Sequence, residues 1–451
     1  MSRFRSLLSL LPLLAVACAA PATDRRPERP NLVVLFADDL GYGDLGCFGH
    51  PIIRTPNLDR MAAEGTRFTQ FYSASPACTA SRYSLLTGRL AARSGFAWVL
   101  VPSSPRGLHA AERTLADELR EAGYATAAVG KWHLGNRPEF LPLAHGFDEY
   151  LGLPYSNDML PPRWPPIPPL EGDKEVESGP DQSTLTRRYT ERALSFIDRN
   201  RDRPFFLYLA YAMPHVPLHP GAAFAGRSPR GAYGDAVEEI DWSVGRILDR
   251  LRRLGLAERT LVLFTSDNGP WIIKGLDGGS AGLLRDGKGS TWEGGMREPA
   301  IFWWPGTVPA GRVERAVAST LDLFPTALEL AGRPLPEPGR GRNGAVLDGR
   351  SILPLLLGRG APEDRPFFYH GPGHVLHAVR LGRWKLHLKT SSQTGKEYFE
   401  GRVPLLFDLE RDPSETRDLA AEEPEVVARL TALAAEHERE VAEHGSFWDR
   451  G

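Results

Sequence analysis

The sequence predicts an α/β fold: a large mixed, mainly parallel sheet flanked by helices, followed by a smaller C-terminal α+β subdomain. Three observations carry this. Short apolar runs end abruptly in polar residues, helical patterns separate those runs, and a segment rich in Pro, Gly and Arg at 333–343 precedes an alternating stretch and a long helical one. In order, Asn31–Ala37 runs into Asp38-Asp39, residues 125–129 into Gly130-Lys131 and then His133, residues 205–212 into Pro214-His215, and residues 261–265 into Asp267-Asn268. Uniformly apolar runs of this length are the pattern of strands covered on both faces. Residues 59–64, 115–122, 185–199 and 236–254 have the pattern of crossover helices. Ligands of such sheets bind beyond the carboxyl ends of the strands, where each polar cluster falls. Residues 156–180 contain Pro161-Pro162-Arg163-Trp164-Pro165-Pro166-Ile167-Pro168-Pro169 and read as a rigid surface loop, long enough to wall a cleft. Past the 333–343 divider, residues 377–388 alternate as strands do and 426–442 are helical. The organisation expected is an export segment over 1–20, a large domain over 28–340, and a C-terminal unit over 345–451 with a small antiparallel sheet and a helix.

The 451 residues carry a formal net charge of −2 and a pI near 6.7, which argues against nucleic acid or an anionic membrane surface as a partner. Counts of 46 Gly and 39 Pro beside a 42% hydrophobic fraction point to long structured loops rather than disorder. At the start, Arg3 and Arg5 precede an apolar run over 7–17 and then small residues. This is the form of an export signal and is too short for a transmembrane helix, so a periplasmic or secreted protein is expected. Ala15-Val16-Ala17-Cys18 also resembles a lipoprotein cleavage box, which leaves free secretion and a lipid anchor on Cys18 both open. Cys47 and Cys78 then remain, and a disulfide between them is the plain alternative to a functional thiol.

Cys78 opens a helical pattern with Arg82 one turn on, on the same face. A helix start presents unpaired N–H groups and a positive dipole end, and arginine adds a planar cation, so the pair suits sulfate or phosphate. Asp38, Asp39, Asp267 and Asn268 are hard oxygen donors, which favour Ca²⁺ or Mg²⁺ over zinc. Gly41 and Gly43 would let the backbone turn both aspartates inward; turn and helix-cap duty is the plainer alternative. Lys131 and His133, two apart, would point the same way in extended chain. Arg82, Lys131 and Lys288 together could surround the three non-bridging oxygens of a sulfate ester, though each alone is ordinarily a solvated charge. His133 and His215 are candidates for proton transfer.

The string Cys78-Thr79-Ala80-Ser81-Arg82, continued by Leu86-Thr87-Gly88-Arg89, resembles the signature of the sulfatase family. So do Asp38-Asp39-Leu40-Gly41-Tyr42-Gly43-Asp44, Gly130-Lys131-Trp132-His133-Leu134-Gly135, Ser266-Asp267-Asn268-Gly269 and Gly287-Lys288-Gly289-Ser290-Thr291-Trp292-Glu293-Gly294-Gly295, in matching order and spacing. Within the family, the resemblance is to the arylsulfatase and N-acetylgalactosamine-6-sulfatase branch. It implies an alkaline-phosphatase-like sheet and hydrolysis of an aryl or carbohydrate sulfate ester. It also implies conversion of Cys78 to formylglycine by a maturation enzyme, the hydrated aldehyde being the nucleophile, and Ca²⁺ held by Asp38, Asp39, Asp267, Asn268 and the residue at Cys78. Ser156, Lys131, His215 and Lys288 would contact the substrate. Ala80 departs from the pattern, standing where most members carry proline. The alternatives are a phosphate or phosphonate monoester hydrolase on the same scaffold, and a non-catalytic binder of sulfated glycans if Cys78 stays a thiol.

Overall fold

The computed structural model describes residues 28–96, 98–335, 344–360 and 364–449. The expected export segment, Cys18 within it, and most of the 333–343 divider lie outside them. Among the described residues no helix is long and apolar enough to cross a membrane.

Strand β1 (Asn31–Ala37) is buried along all seven residues. Helix α1 (Pro56–Glu64) has proline in its first turn, where the missing N–H costs nothing, and leads into β2 (Thr66–Tyr72). Helix α2 (Cys78–Thr87) is buried throughout and stops at Gly88, whose φ of 67° is the left-handed closing conformation. Helix α3 (Leu115–Glu121) starts from a reciprocal capping box between Thr114 and Asp117 and precedes β3 (Ala125–Gly130) and β4 (Glu149–Gly152). Next come β5 (Leu170–Glu171), β6 (Lys174–Glu175), α4 (Leu185–Arg199), β7 (Phe205–Ala210), α5 (Ala232–Arg253) and β8 (Thr260–Ser266). The short α6 (Glu293–Met296) runs directly into β9 (Arg297–Trp303), then β10 (Arg312–Glu314), β11 (Ala318–Ser319), α7 (Leu323–Leu330) and α8 (Leu353–Leu356). The chain closes with β12 (Phe367–His370), β13 (Leu376–Leu381), β14 (Trp384–His387), β15 (Leu405–Asp408) and α9 (Pro424–Glu443).

Among the described residues, eleven strands form one sheet in the order β10-β2-β9-β8-β1-β7-β3-β4-β5-β6, with β11 also on β2. The centre, β8-β1-β7-β3-β4, is parallel, and β9 runs antiparallel between β8 and β2. Alternate residues of β1 enter opposite cores. Val33 and Leu35 pack with Met61, Phe196, Ile240 and Ile247 of α1, α4 and α5, while Val34 and Phe36 pack with Leu86, Leu119 and Phe324 of α2, α3 and α7. Each such side chain contributes about 1.5–3 kcal/mol by leaving water. This two-sided burial is why the strands read as unbroken apolar runs.

Two details differ from the sequence reading. Residues 156–180 are not only a loop: β5 and β6 form a small antiparallel ribbon that extends the sheet beyond β4, and Trp164 packs on the core beneath. Beyond the divider, Ile352, Leu355 and Leu356 still pack into the core of the large sheet. The second sheet, antiparallel in the order β12-β13-β14-β15, begins at Phe367 and is covered by α9 through Leu430 and Ala434.

Candidate active site

β8, β1, β7 and β3 are consecutive neighbours and parallel, so the residues after them emerge at one end of the sheet. Asp38 and Asp39 follow β1, Lys131 follows β3, His215 comes shortly after β7, and Asp267 and Asn268 follow β8. Helix α2 brings Cys78 and Arg82 to the same place. One ligand atom each from Asp38, Asp39, Cys78 and His215 lies within 4.8 Å of the others, all four residues buried.

The turn that brings both aspartates inward is made by Asp39 itself, whose φ is 64°. Gly41 serves a different purpose from the one expected: a Cβ there would lie 2.3 Å from the Ser280 carbonyl, so glycine lets the 280–282 segment close over the turn. Asp39 N–H donates to Asp267 Oδ1 (3.0 Å), and Asn268 Nδ2 donates to Asp39 Oδ1 (2.8 Å). Gly278-Gly279-Ser280-Ala281-Gly282 has the Gly-x-Ser-x-Gly spacing of a nucleophile elbow, but no strand leads into it and no α-helix leaves it. The Ser280 carbonyl accepts from Gly43 N–H (2.8 Å) and its N–H donates to Asp44 Oδ1 (2.9 Å), so this serine braces the turn.

The cations are distributed unequally. Arg82 is fully buried and engaged with protein groups, donating to Asp267 Oδ2 (2.7 Å) and the Lys131 carbonyl (3.0 Å), with Asp38 Oδ1 at 3.4 Å. It holds the carboxylates together through its two terminal nitrogens, while its Nε is buried with no partner among the described residues. Lys131 Nζ sits 2.5 Å from Asp38 Oδ2 and donates to Ser156 Oγ (3.1 Å). Lys288 Nζ donates to Asp39 Oδ2 (2.8 Å) and keeps 14% of its side chain exposed, the most open cation of the three.

Lys131 and His133 do not share an extended segment, because His133 has a φ of 60°. Its Nε2 lies 2.9 Å from the Leu100 carbonyl, and a carbonyl only accepts, so Nε2 carries the proton and Nδ1, which has no partner among the described residues, is the free lone pair. Burial, then Lys131 and Arg82, hold the His133 pKa well below the usual 6.5. His215 Nδ1 donates to the Val216 carbonyl (2.6 Å) and its Nε2 lies 3.6 Å from Asp39 Oδ2. Burial and then Lys288 lower its pKa as well. Both imidazoles are therefore neutral near pH 7. Burial alone would raise Asp38, but Lys131, His215, Arg82 and Lys288 outweigh it and hold this carboxyl well below its usual range. Asp267 is pushed up to about 7, by burial first and then by the Asp38 charge. Burial raises the Cys78 thiol to about 12, so it is not a thiolate nucleophile as it stands. Cys47 and Cys78 are both free, which disposes of the disulfide.

The sulfatase family model matches residues 30–333, and a model of the C-terminal region of aryl-sulfatase matches residues 362–450. The chain belongs to the sulfatase family. Dog N-acetylgalactosamine-6-sulfatase is 42% identical over 473 residues, covering 95% of this chain and 89% of that protein. Human arylsulfatase A is 44% identical over 463 residues, covering 93% and 89%. A solved structure from work on glycosaminoglycan metabolism by Bacteroides thetaiotaomicron superposes with a TM-score of 0.82 at 30% identity, covering 92% of this sulfatase and 100% of that chain. The sheet and its flanking helices thus form the alkaline-phosphatase-like fold of sulfatases, and the chain is an enzyme of that family.

Sequence reasoning missed two neighbours of this sulfatase site. Trp271 lies 5.4 Å from the His215 ring and 4.5 Å from Lys288 Nζ. Gln393, from the loop between β14 and β15, bonds to the Lys288 backbone. Neither belongs to a motif, and no local pattern marks them.

Proposed function

We propose that this sulfatase releases inorganic sulfate from aryl or carbohydrate sulfate esters, using a formylglycine made from Cys78 and a Ca²⁺ ion. The observation that carries the reading is the convergence of Cys78, at the start of a buried helix, with Asp38, Asp39 and His215, between the ammonium groups of Lys131 and Lys288.

The donor set fits a hard divalent cation. Asn268 Oδ1 and Asp38 Oδ1 are buried and accept no hydrogen bond among the described residues, and Asp39 and Asp267 supply further oxygens beside them. Ca²⁺ would be held by Asp38, Asp39, Asp267, Asn268 and the residue at position 78, with Mg²⁺ the less suited ion; it would supply Lewis-acid polarisation of a bound oxygen. Conversion of Cys78 would supply a hydrated aldehyde, whose second hydroxyl allows sulfate to be expelled where a thiol adduct would stall.

The chain's own residues do the rest. Lys131 and Lys288 balance the non-bridging sulfate oxygens, and Ser156 orients Lys131. Arg82 fixes the carboxylates and the Lys131 backbone. His133 Nδ1 takes the proton that frees sulfate in the second half of the cycle. Lys288, kept protonated because Asp39 offsets its burial, donates to the leaving oxygen more readily than neutral His215. Residues 1–20 fit export to the periplasm or beyond, with or without a lipid on Cys18, and the maturation enzyme is a required partner.

The test is the mass of the tryptic peptide over 68–82 from protein made in its own host, with sulfate and phosphate release from matched aryl esters. The expected result is the mass of formylglycine at position 78, sulfate release exceeding phosphate release, and loss of activity in Cys78→Ala. An unmodified thiol in active protein would end this reading, and faster phosphate release would favour a phosphate ester hydrolase.

A further inference from the structure

We propose that Gln393 is a positioning residue for Lys288, holding that lysine in register with the carboxylates from the C-terminal sheet; this rests on the reading of Lys288 given above. The Gln393 side-chain nitrogen donates to the Lys288 carbonyl (2.9 Å) and the Pro270 carbonyl (3.3 Å), and its side-chain oxygen accepts from Ile273 N–H (3.0 Å). Two carbonyls on one side and an N–H on the other fix which end of the amide is which. Its backbone N–H donates to Asp286 Oδ1 (3.2 Å), and nearby Ser391 Oγ reaches the Gly289 carbonyl (3.4 Å). Pro270 O also accepts from Lys288 N–H (3.0 Å). One amide therefore ties the loop after Asn268, which carries Trp271, to the loop that carries Lys288.

The Lys288 loop has reason to need an outside hold. Lys288 lies between Gly287 and Gly289; Gly289 has a φ of 81° with nothing within 4 Å of where a side chain would begin. Gly287 allows the Pro270 carbonyl to come within 2.3 Å of where a Cβ would sit, so the two loops meet at a contact that only glycine permits. Two glycines make the backbone pliable, and lysine's four-carbon stem adds its own freedom. Nζ must nonetheless stay 2.8 Å from Asp39 Oδ2, with Trp271 beneath it at 4.5 Å. The Lys288 N–H bond to the Pro270 carbonyl joins the loops at one point, and the Gln393 amide adds the second.

The experiment is a double-mutant cycle on an aryl sulfate, with kcat and KM measured separately for the matured wild type, Gln393→Met, Lys288→Ala and the double variant. Methionine keeps the length and removes every side-chain hydrogen bond. Gln393→Met is expected to lower kcat/KM by roughly 10-fold or more, mostly through kcat, with Tm close to wild type, and to add almost nothing on the Lys288→Ala background. Losses that multiply in full, or no loss at all, would overturn the proposal. If Lys288→Ala is itself as active as wild type, the Lys288 reading falls, and the cycle shows this separately. Should Gln393→Met fail to fold, Gln393→Glu keeps the acceptor for Ile273 while setting an oxygen against the two carbonyls, and must show the same dependence on Lys288.

Discussion

Lys385 in β14 and Glu293 at the start of α6 meet as a fully buried ion pair, Nζ to Oε1 2.9 Å, across the seam between the two sheets. Lys385 also reaches Glu415 Oε1 (3.0 Å) and the Thr291 carbonyl (2.8 Å), and Tyr72 donates to Glu293 Oε2 (2.6 Å). Removing the lysine would take away the cation that Glu293 and Glu415 share, leaving Glu293 to Arg297 and Tyr72 and Glu415 to His387. Lys385→Met is therefore expected to lose about 3–5 kcal/mol, read as a shift in the urea midpoint. A loss below about 1 kcal/mol would mean that water enters the seam.

The same pair sets a response to acid. Burial would raise Glu293, but Lys385, Arg297 and Arg380 hold it at about 2, below the ordinary 4.5. Because the folded value is depressed, its contribution is complete above the unfolded pKa and is lost as pH falls from about 4.5 towards 2. Wild type should lose stability steeply over that window. Glu293→Gln, less stable at pH 7, should show a flatter profile there, as measured by Tm against pH.

His133 must be unprotonated to act as a base, and its pKa lies well below 6.5. The acid limb of kcat is thus expected below pH 6.5, so activity persists in mildly acidic buffer. His133→Ala should lower kcat by about 10²–10⁴-fold and leave the protein with sulfate attached to residue 78, visible by intact mass. Weaker substrate binding with no trapped adduct would remove the assignment.

Chelation offers a test independent of turnover. If Asp38 Oδ1 and Asn268 Oδ1 are ligands awaiting a cation, adding Ca²⁺ to chelator-treated protein should raise Tm, by the equivalent of about 2.7 kcal/mol at a hundredfold excess over Kd. Asn268→Leu should abolish that rise. An equal rise in the variant would place the ion elsewhere.

The fold was legible because both faces of its central strands are covered, so β1, β3, β7 and β8 appear as apolar runs, and because a parallel sheet gathers the residues beyond its strand ends on one side. Asp38, Lys131, His215 and Asp267 could be named for that reason, Cys78 from its helix start beside Arg82, and the match to a family block singled out Lys288. Partnership could not be read. Arg82 was expected to face the substrate, yet both its terminal nitrogens are turned to Asp267, Asp38 and the Lys131 carbonyl. The left-handed turn at His133 replaces the extended geometry that spacing implied, and the inward turn expected from Gly41 and Gly43 is made by Asp39 itself. Gln393 and Trp271 act across long sequence separations, where no periodicity points.

Helix α2 has one further consequence. All ten of its residues are buried, and Cys78 is only 2% exposed. No enzyme large enough to recognise the surrounding peptide can reach that thiol once the sheet has closed over it. The oxidation proposed for Cys78 therefore belongs to biosynthesis, while the nascent chain is still open. On that proposal, protein that folds unmodified is expected to be inactive, and adding the maturation enzyme afterwards should restore activity only after unfolding and refolding.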